Sequence, residues 1–423
     1  MEAARIDRLR VFFPFALGYF LSLLFRVVNS VIAPDLVSGL GLGPSELGLL
    51  TATYFISFAA FQLPLGVLLD RCGPRTVQAA LLLFAAAGAL VFSQAKGIAG
   101  LAVGRALIGL GVSSCLMAAF KAFTLWFPRA QWPRVNGFQL AAGGFGAMAA
   151  TAPVQAALSH TDWRGIFLLL AGLAAVAAAA VFGVVPEKKT GGAASSARDQ
   201  FKGVARVFTS PVFWRVTPLA TASQASFMSV QSLWAGPWLR DTAGLDRSEV
   251  AAVLMWLAAA MAVGYILLGA LTERLSRLGI TPVATSVAGM SAFLLVQTLI
   301  VAFPGEWNLP LWLSFGAIGT TGVIAYAGLS QRFPVELAGR VNTALNLVVF
   351  VAAFAAQWGI GAVIALWPVA ASGAFAVRGY QAAFGLMIAL QLAALAWYAA
   401  AGRMGSRTDG RRAAGSARLN RGP

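Results

Sequence analysis

Charged residues are scarce in this chain: Asp, Glu, Lys and Arg make up 11% of its 423 residues, while 59% are hydrophobic. That shortage excludes a water-soluble fold, because so few polar side chains cannot cover so much apolar surface. Histidine occurs once, at His160, and cysteine twice, at Cys72 and Cys115. One loop histidine and two separated cysteines provide no nucleophile, base or metal-ligating constellation, so no enzyme, metal site or cofactor is expected. The cysteines lie too far apart in the predicted topology to form a disulfide. Of the 15 Asp and Glu, none falls in the interior of an apolar stretch; Asp35, Glu46, Asp70 and Glu249 lie at their ends.

What the chain has instead is apolar runs of about 20 residues, each long enough to cross a hydrocarbon core of ~30 Å at ~1.5 Å per residue. Twelve spans are predicted, near residues 11–33, 47–69, 76–95, 100–122, 135–158, 164–185, 211–236, 249–271, 282–303, 310–331, 341–367 and 380–401. The net charge of +16 does not come from one basic face that could track phosphates, which excludes a nucleic-acid partner. Most of the Lys and Arg gather between alternate spans, and the positive-inside rule then puts both termini in the cytoplasm of a bacterial inner (plasma) membrane. The first span follows Arg5, Arg8 and Arg10 but has no small-residue cleavage site, so it reads as a retained helix. Trp126, Trp238, Trp307 and Trp312 fall at span ends and read as interfacial anchors.

One long polar connection, Pro186 to Phe208, divides the chain nearly in half, and the halves repeat. At an offset of 203, Pro34 falls on Pro237, Ser45-Glu46 on Ser248-Glu249, Gly66 on Gly269 and Asp70-Arg71 on Glu273-Arg274. At 206, Phe127-Pro128 falls on Phe333-Pro334 and Arg134-Val135-Asn136 on Arg340-Val341-Asn342. With an even number of spans per half, the repeats are parallel, an arrangement that puts a binding site at their interface near the bilayer midplane. The expected fold is an all-α membrane protein of two six-helix bundles, residues 1–185 and 211–401. A cytoplasmic linker, 186–210, joins them, and a basic tail, 402–423, reads as disordered near anionic headgroups.

The stretch "GVLLDRCGPR" places Gly66, Asp70, Arg71, Gly73 and Arg75 at a tight turn between the second and third spans. With twelve spans and a parallel repeat, it resembles the signature loop of the major facilitator superfamily, and "GRALIGLGVSS" around Arg105 resembles that superfamily's fourth-helix motif. The resemblance implies a monomeric transporter whose signature loop is a conformational switch and whose first and fourth helices line a central cavity. The first two spans also resemble the anion:cation symporter branch, through Arg26 followed by Pro34 and through Gln62 and Pro64. They depart from that branch at Phe25 and Val112. The Gly-rich fifth span, "GFQLAAGGFGAMAATAP", reads as a close-packing surface.

Each ionised group within a span costs ~2.5–3.5 kcal/mol on insertion scales, so it needs a partner, a pathway or an escape to the interface. Arg26 lies about 22 Å up its helix, too deep to reach either surface easily. Arg105 lies at comparable depth, and both are candidates for a shared aqueous space. Lys121 is about 160° round the helix from Arg105 and is expected to face away, toward cytoplasmic headgroups. With no carboxylate in the spans, an anionic substrate is the simplest neutraliser, and a guanidinium fork suits carboxylate or phosphate oxygens. The facing half offers no charge but has Gln224, Gln231, Trp234 and Asn346, the last one turn from Asn342; with Arg26, Arg105, Tyr54 and Gln62, the first four make up the candidate substrate-binding set.

Three functions are consistent with this chemistry: secondary transport of a small organic anion with protons as coupling ion, efflux of drugs or metabolites by antiport, and nutrient sensing without transport. A small-molecule substrate and membrane lipid are the expected partners. Efflux of cations usually needs a cavity carboxylate, and sensors usually carry long soluble extensions, which ranks transport of an anion first.

Overall fold

The computed structural model describes residues 2–128, 131–188, 197–304, 308–370 and 373–419. The described chain is helical throughout. The helices are α1 (Glu2–Val27), α2 (Asn29–Leu40), α3 (Pro44–Gln94), α4 (Ile98–Val112), α5 (Cys115–Trp126), α6 (Trp132–Ala149), α7 (Ala152–Ala157), α8 (Trp163–Val184) and α9 (Ala197–Phe208). The second half continues with α10 (Pro211–Ser229), α11 (Ala235–Ala243), α12 (Arg247–Arg277), α13 (Pro282–Ala302), α14 (Asn308–Gly319), α15 (Ile324–Ser330), α16 (Val335–Ile364) and α17 (Val377–Leu419). Each predicted span coincides with one or two of these helices.

Local chemistry explains the boundaries. Asp162 starts α8 by accepting from the Gly165 amide at 2.9 Å. At the start of α12, the Asp246 carboxylate accepts from the Glu249 amide at 2.9 Å and Glu249 accepts in return from the Asp246 amide at 2.9 Å, a reciprocal cap. Helix α3 runs for 51 residues but bends at Gly73, whose φ of 76° admits only a residue without a side chain at low cost. It therefore holds two predicted spans. Among the described residues nine stretches are long and apolar enough to cross a membrane, and with α3 carrying two passes the twelve-span count fits the arrangement.

Helix interruptions recur with the same spacing as the sequence landmarks. The break at Val28 between α1 and α2 falls, at an offset of 203, on the π turn Val230–Trp234 between α10 and α11. The break at Ser113 and Ser114 between α4 and α5 falls, at 206, at the start of the 3₁₀ turn Thr320–Val323 between α14 and α15. The halves then pack crosswise, α3 against α16 and α6 against α12, and these two contacts are equivalent under the repeat. On α6, Gly143 lies under the Tyr19 ring, Gly146 over the Phe20 carbonyl and Gly144 against Ala262 of α12, the close packing expected of the Gly-rich span.

Several expectations change. The linker carries a helix, α9, because Val204 and Val207 lie three residues apart and bury themselves, 4% and 0% exposed, while α9 packs on α16 and α3. Residues 189–196 of the linker lie outside the described residues, as does Trp307. The last helix continues to Leu419 through the segment expected to be disordered, where Arg and Ala favour helix. Lys121 does not escape to headgroups: its Nζ donates to the Asp70 carboxylate at 2.8 Å. Trp238 and Trp312 are 0% and 1% exposed inside the protein, not interfacial anchors, and Trp238 stacks on Phe384 with ring centroids 4.9 Å apart.

Candidate functional site

Arg26 is half-buried at the seam between the two halves, and its Nε has no hydrogen-bond partner. Its guanidinium lies 5.5 Å from the ring centroid of Phe350 on α16 and 6.0 Å from that of Tyr54 on α3. Three more phenols are within its electrostatic range: Tyr19 from its own helix, Tyr265 from α12 and Tyr326 from α15. Four of the chain's six tyrosines thus lie in the neighbourhood of one arginine. Phe58 and Phe350 close one wall, stacked across the halves at 4.0 Å and 6°. Beside them the Asn346 amide donates to Gln62 Oε1 at 3.0 Å, and Tyr326 donates to Asn346 Oδ1 at 3.1 Å. The result is a cation against two aromatic rings, with phenols and amides nearby and, among the described residues, no carboxylate recorded against it.

Arg105 sits differently. It is 1% exposed, and its Nη1 donates to the Phe25 carbonyl at 2.7 Å. The guanidinium lies between the Phe92 and Phe167 rings, at 5.1 and 5.2 Å from their centroids. Its Nε and Nη2 have no hydrogen-bond partner. Every recorded contact of Arg105 is to the first half, so it does not share the seam with Arg26 as expected. A rigid sandwich of two rings holds it inside the bundle.

The remaining predicted residues divide in the same way. Tyr54, Gln62 and Asn346 join the Arg26 cluster. Gln224 is spent inside the second half, donating to the Gly319 carbonyl at 3.1 Å, and Gln231 donates to Met261 Sδ at 3.0 Å. Trp234 belongs to the end of the molecule opposite the signature turn, where its Nε1 donates to the Gln357 carbonyl at 3.0 Å and its ring packs on Gly48 and Gly361. That end is sealed. Gln357 Nε2 donates to Thr51 Oγ1 at 2.9 Å, and Arg247 grips Asp35 with both arms at 2.9 and 2.6 Å. Gly361 and Gly236 meet the backbone carbonyls of Pro44 and Ser30 so closely that a side chain at either would part the halves.

At the signature turn, Gly66 lies in α3, Asp70 is tied to Lys121 of α5, and Arg75 Nε donates to the Phe182 carbonyl at 2.8 Å. Gly73 makes the bend, and Arg71 points outward, exposed. Arg75 also lies 3.7 Å from Glu187 just past the end of α8. No group of three His, Cys, Asp or Glu is placed to hold a metal among the described residues.

Sequence reasoning missed Tyr19, Tyr265, Tyr326 and Phe350. Two had a signal. Tyr19 is seven residues before Arg26 and so on the same helix face, and Tyr265 is the counterpart of Gln62 at the 203 offset. Tyr326 and Phe350 had none, since only packing of the halves brings them to Arg26. The buried carboxylate of Asp241 was also missed: it accepts from the Tyr380 hydroxyl at 2.8 Å and the Phe375 amide at 3.0 Å, beside Arg240. It pins the loop before α17 to the end of α11.

Comparison with known proteins gives the wider setting. The sequence profile of the Major Facilitator Superfamily matches residues 15–357. The probable sulfoacetate transporter SauU of Cupriavidus necator is 29% identical over 36% of this chain and 36% of its own length. The uncharacterized transporter YybO of Bacillus subtilis is 32% identical over 34% and 33%, and the putative multidrug resistance protein MdtD of Salmonella paratyphi B is 23% identical over 57% and 48%. The chain thus spans about a third to a half of these relatives' length. Among solved structures, a bacterial homolog of the human lysosomal transporter Spinster, inward-facing and unoccupied, superposes with a TM-score of 0.76. It is 16% identical, and the match covers 94% of this chain and 97% of that one, a likeness of fold.

Proposed function

The chain belongs to the major facilitator superfamily of transporters, and on that premise we propose that it moves a small organic anion across a bacterial inner membrane by alternating access, with Arg26 as the anion's anchor. The observation that carries this reading is the half-buried, unneutralised guanidinium at the seam of the two halves. A charge at that depth needs a counter-ion, and an anion arriving between the halves supplies one. The fork of Arg26 suits a carboxylate or sulfonate, while Tyr19, Tyr54, Tyr265 and Tyr326 offer hydroxyl donors, and Gln62 and Asn346 offer amides. The name of the SauU relative, which specifies a sulfonated carboxylate, agrees with that chemistry.

In this reading the bundles are residues 1–185 and 211–401, joined by the linker 186–210, and the protein works as a monomer with both termini and the tail, 402–423, in the cytoplasm. The seal around Gln357, Asp35 and Arg247 is then the closed periplasmic gate. Because both bundles contribute to the Arg26 ring, rocking one against the other carries the anion from one side to the other. No carboxylate among the described residues contacts Arg26, so a coupled proton travels on the substrate's own acid group or gives way to exchange of a second anion. The same absence disfavours a cation-efflux site. Arg105 acts within the first bundle, its bond to the Phe25 carbonyl tying α4 to α1.

The test is counterflow in proteoliposomes with a panel of small carboxylates and sulfonates. Saturable uptake by the wild type, lost in Arg26→Ala protein that still unfolds cooperatively, supports the reading. Full transport by Arg26→Ala, or a panel in which only cations are carried, removes it.

A further inference from the structure

A polar cavity lies at the signature-turn end of the first half, away from the seam. It has a volume of about 290 Å³ and is walled by the turn of α3 with Arg71, Arg75 and Thr76, the end of α5 with Trp126, and the strand of chain leaving α8 with Glu187 and Lys188. Three cations face one carboxylate. That carboxylate is a weak partner: Glu187 is 78% exposed, and its oxygen is 3.7 Å from Arg75 Nη1.

Two of the cations, Arg75 and Lys188, are held in place by groups that do not neutralise them. Arg75 donates through Nε to the Phe182 carbonyl at 2.8 Å and lies over the Phe182 ring at 4.8 Å. Lys188 donates to the Leu125 carbonyl at 2.6 Å and lies 4.9 Å above the Trp126 ring. Asp70, the carboxylate adjacent to Arg71, is paired with Lys121 at 2.8 Å. Among the described residues Arg71 itself makes no ion pair or hydrogen bond, and it is exposed at the cavity wall. A pocket with three cations against one exposed carboxylate is built for an anion with several oxygens.

Its position says which anion. The cavity lies at the ends of membrane helices, next to a tryptophan at a depth typical of headgroups. Phe182 and Val184, on the last turn of α8, are 56% and 46% exposed and form an apolar surface beside Arg75. A phosphodiester in the pocket therefore has its acyl chains against Phe182 and Val184. We propose that this pocket binds the phosphate of an anionic phospholipid, strapping the α3 turn to α5 and α8 and making the signature loop responsive to lipid charge.

The test is native mass spectrometry of the purified full chain with phosphatidylglycerol or phosphatidylcholine added at equal concentration, alongside thermal unfolding. The wild type should retain phosphatidylglycerol preferentially. The variant carrying Arg71→Gln and Lys188→Gln should lose that preference by about tenfold or more, given the attraction of each basic residue to an anionic headgroup. Arg134→Gln, which removes a cation of α6 outside the pocket, should keep it. Equal retention of both lipids by the wild type overturns the proposal, as does an equal loss in Arg134→Gln, which would mean diffuse charge attraction. An inorganic phosphate arm separates the sources: if phosphate alone raises the wild-type unfolding temperature as much as the lipid does, the ligand is a soluble anion and the lipid assignment fails. If the double variant does not fold, Arg71→Gln alone serves, since that exposed side chain has no partner to lose. None of these readouts depends on transport, so they stand or fall apart from the role of Arg26.

Discussion

Arg26 and Arg105 are both cations deep in the first half, yet their surroundings differ in kind. Arg105 is sealed by one bundle, with a carbonyl on Nη1 and a phenyl ring on each face. Arg26 is half-buried between bundles, with π faces and phenols drawn from both. Ring faces and one carbonyl go some way to offset the ~2.5–3.5 kcal/mol of placing a guanidinium in the membrane, each cation–π contact contributing ~0.5–2 kcal/mol. Depth alone therefore does not mark a binding residue. What distinguishes Arg26 is that its neighbours come from both halves, whereas those of Arg105 come from one.

The sharpest way to break this comparison is to remove each charge in turn. Arg26→Ala should reduce uptake by about 100-fold or more with little change in unfolding temperature, while Arg26→Lys, which keeps charge but loses the fork, should recover part of it. Arg105→Ala should do the reverse, opening a cavity between Phe92 and Phe167 that costs about 2–4 kcal/mol in thermal unfolding while transport per folded molecule persists. Arg105→Met, which refills that space, should restore most of the stability. If Arg105→Ala instead abolished transport without destabilising the protein, the two arginines would have to share one site.

Smaller effects sharpen the boundary of the seam. Gln62→Ala removes the acceptor for Asn346 across the halves, worth about 1 kcal/mol, and should change the apparent KM severalfold in initial-rate uptake. Gln224→Ala, whose partner is within the second half, should leave KM near its wild-type value and lower only the unfolding temperature. Lys121→Gln should be the mildest, since its pair with Asp70 is about a third exposed on each side and such pairs contribute ~0–1 kcal/mol in thermal unfolding.

Much of this architecture was legible in the order of residues. Apolar runs of about 20 residues specify membrane helices because the bilayer satisfies no backbone groups, and a repeated set of landmarks specifies two alike halves. The structure added that the interruptions at Val28 and Ser114 repeat as well, at the π turn and at Thr320. The linker helix was missed because Val204 and Val207 are a short apolar signal in a charged, Ser- and Gly-rich stretch. Lys121 was misassigned because helical angle says which face a side chain takes but not which neighbour lies there, and Asp70 from the next helix lies there.

For the site, the sequence alone determined that any deep charge would be positive and unpaired by a carboxylate in the interior of a span, since no Asp or Glu lies there. It also determined that Arg26 needs an explanation, because its depth on one helix is counted along the chain. Which arginine faces the partner half was decided only by tertiary structure. So was the placement of Phe350 against Arg26, with Tyr265 and Tyr326 nearby, because it arises from how two separately patterned bundles lie against each other. Periodicity describes a helix's faces, and the identity of what meets each face is a property of packing.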